Sequence, residues 1–318
     1  MIFLFLGKGE GMFGLFYTIL GTLIPLYFSI LFGFFLGKFF ESYKSFIVFV
    51  MFYFIAPVII FTGVMEMSLD YSILSLPLLI FFFSCFISLI FYKAFKSSWK
   101  DSSGSLLALF AGTGNAGYFG LPIALSLFDP QTIGKYIVAI IGMILFEYTL
   151  GFYLNARNKF TSKSCFKKVV SLPTLHAFFL AVIFKFFDVS LANVLVLCIP
   201  FFRKLFSFLG MMIIGMSLVR FSFDKVDFKF IFTAFLAKFL VWPIFIFSFI
   251  YLDNTFFHLY SSNIHQALIL FSIAPLASNP VIIASLLGTH PEKAAASVLF
   301  SAIFALLYIP LMVAMFIQ

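Results

Sequence analysis

Apolar stretches of about twenty residues, separated by short polar segments, recur along the whole chain and limit what it can fold into. Of the 318 residues, 63% are hydrophobic and only 10% are charged. A water-soluble domain of this length would need more polar surface, whereas lipid accepts apolar side chains on the outside of a protein. The sequence therefore predicts an all-α integral membrane protein in contact with the lipid bilayer.

A helix needs about 20 mostly apolar residues to cross the hydrocarbon core. By this measure the sequence predicts ten transmembrane helices, arranged as two inverted five-helix repeats. The first repeat covers 1–155, a basic loop covers 156–170, and the second repeat covers 171–318. The predicted spans are 12–37, 45–64, 72–92, 105–128, 133–155, 171–188, 203–220, 229–251, 264–288 and 294–316.

Lysine and arginine are distributed unevenly between the two sets of predicted loops. The loops after spans one, three, five, seven and nine carry 14 of the 20 basic residues, and loop 156–170 is the most basic of them. The positive-inside rule places these loops in the cytoplasm. Both termini are then predicted on the extracytoplasmic side of the cell membrane. The net charge of +8 is thereby explained by topology, and no nucleic-acid partner is predicted.

Spans four and nine share a proline-centred pattern, GLPIALSLFDP in one and NPVIIASLLGTHP in the other. An odd number of spans in each half inverts the second half, as in many secondary transporters, and such repeats are only weakly visible in sequence. Proline removes a backbone donor and glycine adds backbone freedom, so both spans are predicted to be broken helices. A simple structural kink is the alternative interpretation of each proline.

Broken helices at membrane depth are tolerated where they are buried in protein or line a watery cavity, and their free backbone groups can then bind a solute. Two breaks at matching positions, each beside an asparagine, therefore predict a solute site. The candidate substrate-binding residues are Asn115, Gly120, Pro122, Ser278, Asn279 and Pro280.

These motifs resemble those of the auxin efflux carrier family (AEC), the bacterial relatives of the plant PIN auxin carriers. The resemblance implies that spans four and nine cross near the bilayer midplane, that the protein is a homodimer, and that transport is by an elevator-type alternating-access mechanism. It also implies a small organic anion as substrate, either auxin-like or a dicarboxylate such as malate or malonate. The residues that carry the resemblance are Asn115, Gly120-Leu121-Pro122, Ala274-Pro275 and Asn279-Pro280.

Two charged residues, one acidic and one basic, lie well inside predicted spans, where a charge costs at least about 2.5 kcal/mol. Glu147 in span five is a candidate for binding a coupling ion, H⁺ or Na⁺, or for a structural hydrogen bond. Lys238 in span eight is a candidate for compensating an anionic substrate, for pairing with Glu147, or for reaching the membrane interface. No cofactor is predicted. The three cysteines are far apart in the sequence and predict no metal site.

Other functions fit the sequence less well. An enzyme is not predicted, because the chain has no HExxH or GxSxG motif and no paired intramembrane aspartates. A channel or a structural subunit is disfavoured by the two broken helices. A sodium-coupled symporter of the bile-acid/sodium symporter type remains the alternative, because such carriers share the ten-helix architecture; sodium dependence of transport would distinguish the two.

Overall fold

The computed structural model describes residues 12–66, 68, 70–156, 171, 173–190, 193–217, 219 and 226–317. Within these residues every regular element is helical, which confirms the all-α prediction. The predicted basic loop lies, from residue 157 onward, outside the described residues.

The described part of the chain forms ten helical regions, several of which contain a π-helical turn. We number them α1 to α10 and divide the two interrupted ones into halves a and b. They are α1 (Met12–Phe40), α2 (Lys44–Val50 and Ala56–Glu66 around the π turn Met51–Ile55), α3 (Ser72–Phe95), α4a (Ser103–Ala111), α4b (Leu121–Leu127, after the π turn Ala116–Gly120), α5 (Pro130–Phe146 and Phe152–Ala156 around the π turn Glu147–Gly151), α6 (Pro173–Phe186), α7 (Asn193–Ser217), α8 (Phe228–Phe257, with π turns Leu236–Val241 and Asp253–Phe257), α9a (Ser262–Ile273), α9b (Asn279–Leu287) and α10 (Pro291–Phe316).

Within the described residues, seven helical stretches are long and apolar enough to cross a membrane, so the number of ten transmembrane helices is not confirmed. Three differences explain the lower number. Predicted spans one and two fall in one continuous helical stretch, Ile24–Glu66. The helix in span six, Pro173–Phe186, has only 14 residues. Span nine is interrupted between α9a and α9b. The described part is nevertheless that of a multi-pass membrane protein.

The outside of the helical assembly is apolar. Large aromatic side chains stand exposed on α1, α6 and α7, among them Phe28, Phe39, Phe186 and Phe201. Such a surface is unfavourable in water and favourable against lipid tails.

The helices pack in pairs that link the two halves of the chain. Helix α1 packs along α7, and α6 packs along α2. The first pair approaches at backbone distance, because a Cβ atom on Gly215 would lie 1.9 Å from the carbonyl oxygen of Ile30. Small residues at such contacts let membrane helices pack closely. Helix α3 packs against α4a and α5, and α8 packs against α9a.

The interruptions in α4 and α9 meet inside this assembly. We call residues 112–115 and 274–278 the junction. The backbone N–H of Asn115 donates a hydrogen bond to the carbonyl oxygen of Pro275 at 2.7 Å. Residues 112–115 and 274–278 are all buried. The irregular backbone is therefore surrounded by protein, as membrane-depth breaks require.

Candidate functional site

Local sequence explains both interruptions. Helix α4a closes with the N–H of Thr113 donating to the carbonyl oxygen of Phe110, and Gly112 and Gly114 do not favour its continuation. In α9 the residue before Pro275 is restricted to extended backbone, and Ala274 has φ −58° and ψ 143°. Helix α9b then restarts at Asn279-Pro280, with the proline in its first turn, where its missing N–H costs nothing.

A cavity lies beside the junction. Its volume, measured as the space open to the centres of water molecules, is about 60 Å³. A buried water needs about 10–15 Å³ on this measure, so there is room for about four to six waters. Pockets that enclose drug-sized ligands reach about 300–1,000 Å³. The polar residues in the lining are Asn115, Tyr118, Glu147, Thr174, Ser278 and Asn279.

Glu147 is the acidic group of this cavity. It lies at the start of the π turn in α5 and is completely buried. Its Oε2 atom accepts a hydrogen bond from Asn279 Nδ2 at 2.7 Å. Its Oε1 atom and Asn279 Oδ1 are both buried without a hydrogen-bond partner. Two unsatisfied acceptor oxygens on neighbouring residues are costly in a dry interior, and a bound cation or a hydrogen-bond donor would relieve that cost.

A second polar contact closes the cavity wall. Asn115 Nδ2 donates to Ser278 Oγ at 3.3 Å, so an amide from the first interruption meets a hydroxyl from the second. The Gly114 N–H points at Met143 Sδ, 3.2 Å away. Among the described residues that line the cavity there is one carboxyl group and no lysine or arginine. The side-chain chemistry of this lining favours a cation over an anion.

Lys238 lies on a different side of the junction. It is completely buried in the π turn of α8, and its Nζ atom donates a long hydrogen bond of 3.5 Å to the carbonyl oxygen of Phe271. The ammonium lies 4.7 Å from the ring centroid of Trp242. It does not line the cavity and forms no ion pair with Glu147, so the pairing with Glu147, one of the alternatives for Lys238, is not formed in the structure. The physical reason is that the junction backbone at Gly114 lies against Lys238, while Glu147 faces Asn279.

The structure brings four predicted residues to the cavity: Asn115, Glu147, Ser278 and Asn279. Gly120, Pro122 and Pro280 lie outside its lining and shape the helix restarts instead. Gly120 faces Tyr136, whose hydroxyl would lie 2.0 Å from an added Cβ.

Sequence reasoning missed several residues of the lining. Tyr118 follows the first interruption directly, so its proximity to Asn115 was a usable signal. Thr174 and Met143 have no local pattern that distinguishes them from other residues of apolar helices.

Charged residues in loops and at the first turn of α10 form a separate network at one end of the molecule. Lys293 Nζ lies 3.1 Å from Asp227 Oδ2 and 3.5 Å from Asp101 Oδ2, and His290 Nε2 lies 3.2 Å from the same Asp101 oxygen. Partial burial acts to raise the pKa of Asp101. Hydrogen bonds from Ser103 and the neighbouring basic groups outweigh it, so this pKa lies below its ordinary value. These contacts join the loops that precede α4a and α10.

Interrupted helices that meet around a small buried polar cavity are typical of secondary transporters. Two comparisons with known proteins agree with this class. Residues 204–318 match the Sodium Bile acid symporter family. A stretch of 121 residues is 31% identical to an uncharacterized transporter of Methanocaldococcus jannaschii. That alignment covers 37% of this chain and 39% of the relative.

The family match corrects two predictions. The resemblance to the auxin efflux carrier family is wrong, because residues 204–318 match the Sodium Bile acid symporter family instead. The auxin-like or dicarboxylate substrate, and the elevator mechanism implied with it, are withdrawn for the same reason. The motifs that suggested that family indicate broken helices, from Asn115 to Pro122 and from Ala274 to Pro280. Broken helices occur in more than one carrier family.

Proposed function

We propose that this protein is a sodium-coupled symporter of the sodium/bile-acid symporter type, with Na⁺ and a small solute bound at the junction cavity. The observation that carries the proposal is the pair of unsatisfied buried oxygens, Glu147 Oε1 and Asn279 Oδ1, on a cavity without a basic side chain. The family match over 204–318 supports sodium as the coupling ion.

Sodium suits this site chemically. Hard cations take oxygen ligands, and carriers with broken helices hold Na⁺ with unwound backbone carbonyls and half-helix ends. The candidate oxygens are the two unsatisfied ones, together with Ser278 Oγ and the Asn115 side chain on the opposite wall. Glu147 supplies the negative charge, and a buried carboxylate beside a cation avoids the cost of a lone buried charge.

The solute held in this conformation is small. A cavity of about 60 Å³ is well below the volume that encloses a drug-sized ligand. A larger solute, such as the bile acid in the matched family's name, requires the cavity walls to move apart. Candidate solute contacts remain Asn115, Ser278 and Asn279, with Gly120, Pro122 and Pro280 shaping the backbone around them.

We further propose ten membrane spans in two inverted repeats, with both termini on the extracytoplasmic side of the cell membrane. The packing of the helices supports the repeat. When each helix is replaced by the helix at the same position in the other repeat, the packed pair α1–α7 becomes the packed pair α6–α2, and the pair α3–α4a becomes the pair α8–α9a. The distribution of lysine and arginine supports the orientation. The homodimer and the absence of enzymatic activity stay predictions.

Sodium binding tests the proposal without knowledge of the solute. Purified protein in detergent is heated in NaCl or in choline chloride at equal ionic strength, and binding of radioactive Na⁺ is measured in parallel. A ligand that binds only the folded state raises its stability, so NaCl should raise the unfolding midpoint and radioactive Na⁺ should bind saturably.

Transport is tested next in proteoliposomes, by uptake of taurocholate and of small labelled solutes with an inward Na⁺ gradient or an equal K⁺ gradient. Saturable uptake of any of them that requires the Na⁺ gradient supports the symporter. Linear ion conductance, or stabilisation by acid with no response to sodium, would overturn it.

A further inference from the structure

Lys238 is a buried charge that the proposed sodium site does not use. Its side chain is completely buried, yet no acidic side chain among the described residues forms an ion pair with it. Lysine is rarely buried without a paired charge, because removing an ammonium from water is costly. The charged form of Lys238 can therefore persist here only where groups other than a carboxylate stabilise it.

The surroundings of Lys238 consist of carbonyl oxygens and an aromatic ring. Its Nζ atom is 3.5 Å from the carbonyl oxygen of Phe271, in the last turn of α9a. In a continuous helix that carbonyl would accept from residue 275, but Pro275 has no N–H to donate. The proline that interrupts α9 thus frees the oxygen that the ammonium contacts.

Helix α4a contributes to the same place. Its last residue, Ala111, accepts a hydrogen bond from Trp242 Nε1 at 2.7 Å, and the ring of Trp242 lies 4.7 Å from the ammonium. A lysine over an aromatic face gains a cation–π attraction, which strengthens when both are desolvated. The C-terminal ends of α4a and α9a also carry partial negative charge. Two half-helix ends and a ring face therefore favour a cation here.

Gly114 leaves the space that the ammonium fills. A Cβ atom on this residue would lie 2.4 Å from Lys238 Nζ and 2.8 Å from its Cε atom. The ammonium therefore contacts the backbone of the first interruption and a free carbonyl of the second. We call the group formed by Gly114, Lys238, Trp242 and Phe271 the Lys238 pocket.

We propose that the Lys238 pocket is a second cation site of the junction, which the chain fills with its own ammonium and which takes a monovalent cation once that ammonium is removed. Half-helix ends and unwound carbonyls hold Na⁺ in other carriers with interrupted helices. In this protein the Lys238 ammonium occupies the equivalent position, so the wild-type protein binds sodium only at the proposed site beside Glu147. The inference concerns a different set of atoms from the proposed sodium site.

The test removes the Lys238 ammonium in a variant whose proposed sodium site at Glu147 no longer binds Na⁺. Radioactive Na⁺ binding is compared for Glu147→Gln alone and combined with Lys238→Ala or Lys238→Met. Lys238→Ala vacates the pocket, and we expect the double variant to bind about one additional Na⁺ per chain. Lys238→Met removes the charge but fills most of the space, and we expect no additional binding.

Recovery of folded protein gives a second measurement in case Lys238→Ala is unstable. Membranes that contain a Lys238 variant combined with Glu147→Gln, as a fluorescent fusion, are solubilised in NaCl, methylammonium chloride or choline chloride. The monodisperse fraction is then measured by size-exclusion chromatography, and Glu147→Gln keeps the proposed sodium site from contributing to it. Sodium and methylammonium should each increase that fraction at least threefold over choline. Lys238→Met should respond equally to all three salts.

Several results would overturn the inference. Equal Na⁺ binding by the Ala and Met variants, or no additional binding by a well-folded Ala variant, would show that the pocket is not a cation site. An equal folded fraction in all three salts would show the same. Failure of the proposed sodium site is seen separately, as wild-type protein that binds no Na⁺, and it leaves the comparison of the two Lys238 variants intact.

Discussion

The two sides of the junction enclose a buried acidic side chain and a buried basic side chain in different ways. On one side Glu147 faces a cavity, with one carboxylate oxygen bonded to Asn279 and the other without a partner. On the other side Lys238 is completely buried against Gly114, Trp242 and the carbonyl oxygen of Phe271. A cavity beside an ionisable group allows an ion or solute to bind there and leave again, whereas close packing around the group leaves no site for an exchangeable ligand.

The largest expected effect is the loss of the Glu147 carboxylate. Glu147→Gln removes the only carboxyl group among the described residues that line the cavity. The affinity for Na⁺ should therefore fall at least tenfold, and stabilisation by NaCl should disappear. Glu292→Gln makes the same chemical change at an exposed position of α10 and should leave Na⁺ binding unchanged. A full sodium response in Glu147→Gln would contradict an exchangeable ion on the cavity side.

The next effect concerns the asparagines of the cavity. Asn279→Ala removes the 2.7 Å hydrogen bond that orients Glu147 and one candidate oxygen ligand, and should weaken Na⁺ binding about tenfold, or about 1.4 kcal/mol. Asn115→Ala breaks the longer 3.3 Å contact to Ser278 and should weaken it less, by about threefold.

Titration with radioactive Na⁺ measures both asparagine variants. Asn263→Ala is the matched control, because Asn263 is an exposed asparagine at the start of α9a. If neither Asn279→Ala nor Asn115→Ala weakens binding, the site does not lie at the junction.

Alanine substitution of two nearby glycines compares the packing of the two sides directly. Gly114→Ala places a Cβ 2.4 Å from Lys238 Nζ and should destabilise the protein by about 1–3 kcal/mol, because overpacking forces the lysine to move. Gly117→Ala points toward the cavity, where the nearest atom of Phe206 is 3.8 Å away, and should change stability by less than about 0.5 kcal/mol.

Unfolding midpoints of the two glycine variants in choline chloride measure the difference. Equal destabilisation by the two substitutions would contradict the difference in packing between the cavity and the Lys238 pocket.

The smallest expected effect on stability is that of removing an ion pair whose charges are partly exposed to water. Asp101 pairs with His290 and Lys293 but its side chain is 40% exposed, so Asp101→Asn should cost less than about 1 kcal/mol. The lowered pKa of Asp101 means that its contribution is present above the ordinary value of 3.8 and is lost as the pH falls through the lower folded value.

The pH dependence of the unfolding midpoint measures this contribution. Between pH 7 and pH 3 the wild-type midpoint should therefore fall slightly more than that of Asp101→Asn. A larger decrease for the variant would contradict the sign of this contribution.

The sequence was sufficient for the features that local chemistry controls. Helical segments follow from apolar length, and both interruptions follow from glycine and proline. Their exact positions were harder: the first lies at 112–115, before Pro122, because Pro122 fits the first turn of α4b. The span number differed because hydropathy does not distinguish a helix that continues through a polar turn from two separate helices.

Pairing between distant residues was beyond local patterns. Glu147 and Asn279 are 132 residues apart, and nothing in either neighbourhood indicates the other. The sequence left three alternatives open for Lys238, of which pairing with Glu147 was one, and none of them indicated the carbonyl oxygen of Phe271 that the structure places beside it. The family resemblance failed similarly, since motifs for broken helices describe backbone geometry and not a particular substrate.

The contact between Asn115 and Ser278 also has a consequence for folding. These residues are 163 positions apart, so the cavity wall cannot close until both interruptions have been synthesised and inserted. Contacts of such long sequence separation form slowly, because the entropy of closing the loop is lost before any contact compensates for it. During synthesis the cavity wall of the first half therefore stays incomplete until the chain around Ser278 has been inserted.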